Sequence, residues 1–230
     1  MAALVIIGLM TEIIDDDALD AKGRPESEAE RDDRRGVARL EAFSDGVFAI
    51  AITLLVLGIE VPDVDNGQLN DAIGDLVGSI EGYFVGFAVI GLFWVNHHQF
   101  FGRVERHDGR LLWMNLLFLS LISMMPFSTG LIGDYGGERD AVIVFAVNVG
   151  LAASALILTE RSAVRSRLLG PDSPYYHVSF PRWQAWITPA IFFGSAGLAF
   201  IDPSLAQLSW ILTLVASIAL DRTGNDPYRS

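Results

Sequence analysis

The sequence predicts an all-α membrane protein with six transmembrane helices per chain and both termini in the cytoplasm. Three observations lead there. The 230 residues are 51% hydrophobic and only 19% charged, and the mean hydropathy of +0.39 is high for a soluble domain of this size. The charges leave six long gaps. Lys and Arg collect on alternate loops.

The same composition excludes several classes. With no cysteine in the chain, a disulfide framework, a cysteine–zinc module and a thiol enzyme are ruled out. The 28 acids outnumber the 16 bases and give a net charge of −12. A pI near 4.6 argues against a nucleic-acid partner, which needs basic surface.

Residues 1–35 carry ten acids and five bases, and read as an acidic, disordered cytoplasmic tail. The first gap, Gly46–Ile59, extends back through the polar turn Arg39–Asp45 and is closed by Pro62. The others are Gly82–Gly102, Leu111–Ile132, Ala141–Thr159, Trp183–Ile201 and Pro203–Leu220. A hydrocarbon core of roughly 30 Å takes about 20 helical residues, and no segment alternates with the period of a strand. A six-span unit therefore occupies 36–221, with a short cytoplasmic tail at 222–230. Pro126 should kink or break the third span. Fifteen of the sixteen basic residues lie before span one, between spans two and three, between four and five, or after six. Only Arg139 lies on the other side. The positive-inside rule then places both termini in the cytoplasm, which requires an even number of spans.

The unusual chemistry is in span one. Arg39, Glu41, Ser44 and Asp45 open an otherwise apolar helix. Ionisable groups at membrane depth face protein or water rather than lipid. At about 100° per residue, Asp45 sits about 140° from Ile50, while Gly46, Ile50, Thr53 and Leu57 share a narrow face joined by Leu54. One face is thus an apolar stripe; the other holds a polar lock. Spacing alone does not make the stripe a pore, because leucines and isoleucines in a span ordinarily contact lipid or pack. Span two ends in Trp94-Val-Asn-His97-His98. Neighbouring histidines point about 100° apart, which suits interfacial hydrogen bonding better than a shared metal. Asn115 in span three reads as an interhelical hydrogen bonder.

The string Arg39-x-x-x-Phe43-Ser44-Asp45 resembles the signature of the transmembrane protein 175 family, the endosomal and lysosomal potassium channels and their bacterial homologues. Trp94-x-x-His97, Asn115-Leu-Leu-Phe118 and Pro126-Phe127 follow in the expected order. The likeness in topology covers about 36–220, and the specific motifs lie within 39–127. The resemblance implies a bacterial single-repeat subunit of a homotetramer in the cell membrane, in contact with lipid. It implies a pore lined by span one and lacking the Thr-Val-Gly-Tyr-Gly filter, with potassium as permeant ion and no cofactor. On this resemblance Ile50 is the narrow hydrophobic constriction, Thr53 a hydroxyl layer, and Leu54 and Leu57 further apolar layers. Arg39, Phe43, Ser44, Asp45, Trp94, His97 and Asn115 form a structural polar network. Ala49 stands where some members have Ser, so the expectation is a leak-type channel with modest preference for potassium over sodium. The alternatives are a proton-conducting channel using Asp45 and His97, or a secondary cation transporter, which would want a charged site at the midplane. No Gly-x-Ser-x-Gly elbow or His-Glu-x-x-His helix suggests an enzyme.

Overall fold

The structure is a computed structural model that describes residues 27–65, 67–170 and 183–213. Among these the chain is helical, apart from connecting turns and one isolated antiparallel bridge, Val104 to Leu169. The helices are α1 (Glu28–Leu54), α2 (Leu69–Asp75), α3 (Val77–Phe101), α4 (Gly109–Ser123), α5 (Met125–Tyr135), α6 (Arg139–Arg165), α7 (Ile187–Leu198) and α8 (Pro203–Ser209). Short 3-10 turns follow α1 (Leu55–Gly58) and precede α7 (Trp183–Trp186).

Local chemistry sets several of these boundaries. α1 starts in a capping box, with the Ser27 hydroxyl accepting from the Glu30 N–H and the Glu30 carboxylate accepting from the Ser27 N–H. Each contact satisfies a donor that a helix start leaves free. The helix therefore begins at Glu28, ahead of the boundary expected at residue 36, and residues 28–35 of the expected tail are one helix with span one. The rest of that tail, and the 222–230 tail, lie outside the described residues. Asp108 caps α4 by accepting from the Leu111 N–H at 2.7 Å. Asp202 caps α8, where Pro203 takes a first-turn position that needs no N–H. Pro126 does break the third span. α4 ends at Ser123 and α5 restarts at Met125, with Met124 between them donating to the Ile122 carbonyl.

Four segments are long and apolar enough to cross a membrane: Glu28–Gly58, Leu69–Phe101, Gly109–Tyr135 and Arg139–Arg165. They match expected spans one to four. The expected fifth span is represented by the 3-10 turn and α7, whose 12 residues reach only about 18 Å at 1.5 Å per residue. Of the expected sixth, α8 and the residues up to 213 are described.

α6 is the most enclosed of the four spans. α4, α5 and α7 pack against it, and α1 lies across α3 and α4. The main apolar core joins Phe48 and Ala51 of α1, Ile90 and Phe93 of α3, Phe118 and Ile122 of α4, Phe145 and Val149 of α6, and Phe192 of α7. A second cluster closes the end where α1 begins, through Val37, Leu40, Phe100, Phe101, Val104, Leu111 and Leu169.

α3 and α5 approach through glycine. Gly78, Gly82 and Gly86 stand four apart on α3, facing Gly133 and Thr129 of α5. A Cβ on Gly82 would sit 2.9 Å from the Gly133 Cα and 3.3 Å from the Thr129 carbonyl oxygen. Both are backbone atoms, so nothing flexible can yield. Small residues at this spacing let membrane helices pack backbone to backbone, which matters where no hydrophobic force separates helix from lipid. Gly82→Ala is expected to cost about 1–3 kcal/mol of overpacking and to lower the thermal midpoint in detergent. Gly91→Ala, also on α3 but with open space around it, should be neutral or mildly stabilising. Equal midpoints for the two variants would remove the seam from the packing of this fold.

Candidate functional site: the two faces of the first helix

α1 buries one side and exposes the other. Val37, Leu40, Ser44, Phe48 and Ala51 point into the bundle at the three- and four-residue spacing of a helix face. Ile50 is 60% exposed, Leu54 43% and Leu57 71%. Thr53 is exposed among them, its hydroxyl donating back to the Ile50 carbonyl at 2.9 Å, which leaves the oxygen's lone pairs outward. The stripe expected from spacing is thus a continuous face that the described part of the chain leaves uncovered.

On the buried side a chain of donors ties three helices together. His97 of α3 and Asn115 of α4 meet at 2.9 Å between Nε2 and Oδ1. The Asn115 amide donates to the Ser44 hydroxyl at 2.9 Å, and that hydroxyl donates to the Leu40 carbonyl at 2.8 Å. Ser44, His97 and Asn115 are all fully buried. With Asn115 oriented this way, its Oδ1 takes the proton of Nε2, and the imidazole is the Nε2–H tautomer. Rings enclose it: Phe101 stacks on His97 at 4.3 Å between centroids, Phe118 at 5.6 Å, and Phe48 packs at 5.5 Å. In hydrocarbon each polar group needs an internal partner, so this chain fixes how the three helices sit against one another.

A second polar chain lies closer to the surface. The Trp94 indole N–H donates to the Asp45 carboxylate at 2.8 Å. Trp94 stacks on His98 at 5.4 Å, and His98 Nδ1 lies 3.2 Å from the Glu41 carboxylate. The two histidines therefore turn to different partners, as their spacing required, and no three metal-binding side chains cluster among the described residues.

The structure brings together five of the seven residues expected in the polar network: Ser44, Asp45, Trp94, His97 and Asn115. Arg39 and Phe43 stand apart. Phe43 is 54% exposed. Arg39 is exposed and makes no side-chain hydrogen bond or ion pair among the described residues. The reason is helical phase. Both lie about 20° from Ile50 around α1, on the stripe side. Sequence reasoning missed the Glu41–His98 contact and the glycine seam. The first had a signal in the acid one turn ahead of Asp45, the second in three glycines four apart.

A multi-pass, all-helical membrane protein with a buried polar clasp on its first span, and an uncovered apolar stripe opposite, is what these features define. A profile of the endosomal/lysosomal potassium channel TMEM175 family matches residues 39–126, which hold the stripe of α1 and every residue of the clasp. A potassium channel of Chamaesiphon minutus is 36% identical over 171 residues, covering 71% of this chain and 84% of its own length. One from Streptomyces collinus is 47% identical over 121 residues, or 52% of this chain, which spans only 59% of that relative. The crystal structure of a lysosomal potassium-selective channel TMEM175 homologue from Chamaesiphon minutus superposes with a TM-score of 0.69 at 31% identity, covering 80% of this chain and 98% of that one. The chain belongs to the TMEM175 family, a family of ion channels and not of enzymes.

Asn115→Ala would leave the His97 Nε2–H without an acceptor at a fully buried site. That is expected to cost about 1–3 kcal/mol. Trp94→Phe removes one hydrogen bond at a half-exposed site and should cost less. Thermal unfolding of the two purified variants in one detergent checks the order. A Trp94 variant that melts below the Asn115 variant would move the clasp to the outer chain.

Proposed function

We propose that this chain is the subunit of a homotetrameric, potassium-permeable cation channel in the cell membrane, of leak type and with modest preference for potassium over sodium. The observation that carries the reading is the uncovered stripe Ile50, Thr53, Leu54 and Leu57, set opposite a clasp that locks α1 in rotation. Four copies around one axis turn the stripe into rings, and closed cyclic symmetry is what a central conduit needs. An isoleucine ring at Ile50 restricts ions by dewetting, and a wider state lets them through. Thr53 supplies a hydroxyl layer next to it. Ser44, Asp45, Trp94, His97 and Asn115 hold the pore helix and do not touch the ion. The conduit needs no cofactor. The proposal includes the six-span organisation with both termini cytoplasmic, the first span starting within the helix that begins at Glu28, an acidic tail before that helix and a short tail at 222–230, and a belt of lipid around the tetramer. The potassium-channel relatives from Chamaesiphon minutus and Streptomyces collinus support the choice of ion.

The test is the reversal potential of purified protein in liposomes or planar bilayers under opposed potassium and sodium gradients. It should lie on the potassium side of zero. A reversal that tracks the pH gradient would replace potassium by protons, and saturating turnover without unitary steps would make the protein a transporter. Ile50→Asn places an amide in the narrow layer, eases wetting, and should raise conductance for several cations at once. Unchanged unitary current in that variant would remove Ile50 from the constriction.

A further inference from the structure

The uncovered face of α1 does not stop at Ile50. α1 runs without interruption from Glu28 to Leu54, so one helical phase carries the face back toward its start. Residues Phe43, Ile50 and Leu57 are seven apart, and Arg39, Gly46 and Thr53 are seven apart and offset by three. That is the a and d spacing of helices packed around a common axis. Phe43 is 54% exposed although it is a large aromatic in an apolar helix. Arg39, one turn earlier, is exposed as well. The acids closest to it along α1 are already engaged, Glu41 with His98, Asp33 with His107 and Asp45 with Trp94. No carboxylate among the described residues of its own chain neutralises it.

We propose that Arg39 and Phe43 line the N-terminal entrance of the conduit. The Phe43 rings form an apolar layer two turns before Ile50, and the Arg39 guanidiniums form a positive collar outside it. The inference rests on the α1-lined tetramer proposed above. A collar of like charge repels the permeant cation and lowers its local concentration at that mouth, an effect that salt screens. It makes Arg39 a determinant of entry rate from one side rather than a member of the clasp.

The absence of natural cysteine gives a clean test in the full-length protein. Single variants Arg39→Cys, Phe43→Cys and Thr53→Cys are reconstituted and treated with charged thiosulfonate reagents. Ala38→Cys serves as the control, since Ala38 is exposed but about 120° from Ile50. Arg39→Cys should raise cation current at low ionic strength roughly two- to fivefold, by removing the collar charge. A cationic reagent should reverse that rise, and an anionic reagent should extend it. Modification of Phe43→Cys should reduce current, and modification of Ala38→Cys should not change it. Arg39→Gln and Arg39→Lys separate charge from shape: only the neutral variant should lose the salt dependence of entry. Current that responds at Thr53→Cys but not at positions 39 or 43 would overturn this proposal and leave the pore reading standing. Silence at all three positions would overturn both.

Discussion

The rest of the structure depends on one constraint, the rotation of α1 about its own axis. A membrane helix that is apolar nearly all round has little reason to prefer one face for its neighbours, because lipid tails are as apolar as Leu. The Ser44–Asn115–His97 chain supplies that preference. Its three side chains are fully buried, and turning α1 by even one residue would separate Ser44 from the Asn115 amide that it meets at 2.9 Å. The cost is set by groups left unpaired in a medium without water, and it exceeds anything an exchange of Leu for Ile contacts could return. Phe48 stands one turn after Ser44 on the same side and packs on both His97 and Phe118, so aromatic packing and hydrogen bonding fix the same angle.

Much of the fold was legible because the bilayer narrows the choices. Spans two to four appear as α3, α4 with α5, and α6, near the uncharged runs that predicted them. Pro126 broke the third span where its missing N–H said it must. The start of α1 was harder. A run of acids and arginines reads as solvated tail, and only the Ser27–Glu30 capping box shows that the helix begins at Glu28. Capping is a signal of four residues, easily masked by the charge that surrounds it. The bridge between Val104 and Leu169 joins segments far apart in the chain and has no local signature.

The site was legible to different degrees on its two faces. Ile50, Thr53, Leu54 and Leu57 were readable because period alone assigns them to one side, and the structure leaves that side uncovered. Ser44, Asp45, Trp94, His97 and Asn115 were readable because polar groups in a span must find each other. Their pairing was not readable: that Asp45 takes the indole of Trp94 while Ser44 takes Asn115 depends on how α3 and α4 cross α1. Arg39 and Phe43 were grouped with the clasp by their place in a shared motif. Adjacency in a motif says nothing of phase, and an interval of seven residues puts Phe43 almost in line with Ile50.

The two faces of α1 are therefore one device. In the tetramer proposed above, loss of the clasp would let each copy of the helix turn Ala49 inward in place of Ile50 at small cost, and four copies would give a ring of mixed residues. Holding Ser44 and Phe48 inward fixes the outward direction of Ile50, which lies about 120° from Ser44 around the helix. Precision on the buried side becomes uniformity on the exposed side. This also explains why the anchoring groups on α1 are confined to the short stretch Glu41–Asp45 and not spread along its whole length. Hydrogen bonds over that one stretch set the phase of the entire rigid helix, and the part of α1 beyond Asp45 stays free of charge. The layer proposed at Ile50 would work by wetting and drying and so has to stay apolar, and the anchoring chemistry sits a turn or more away from it.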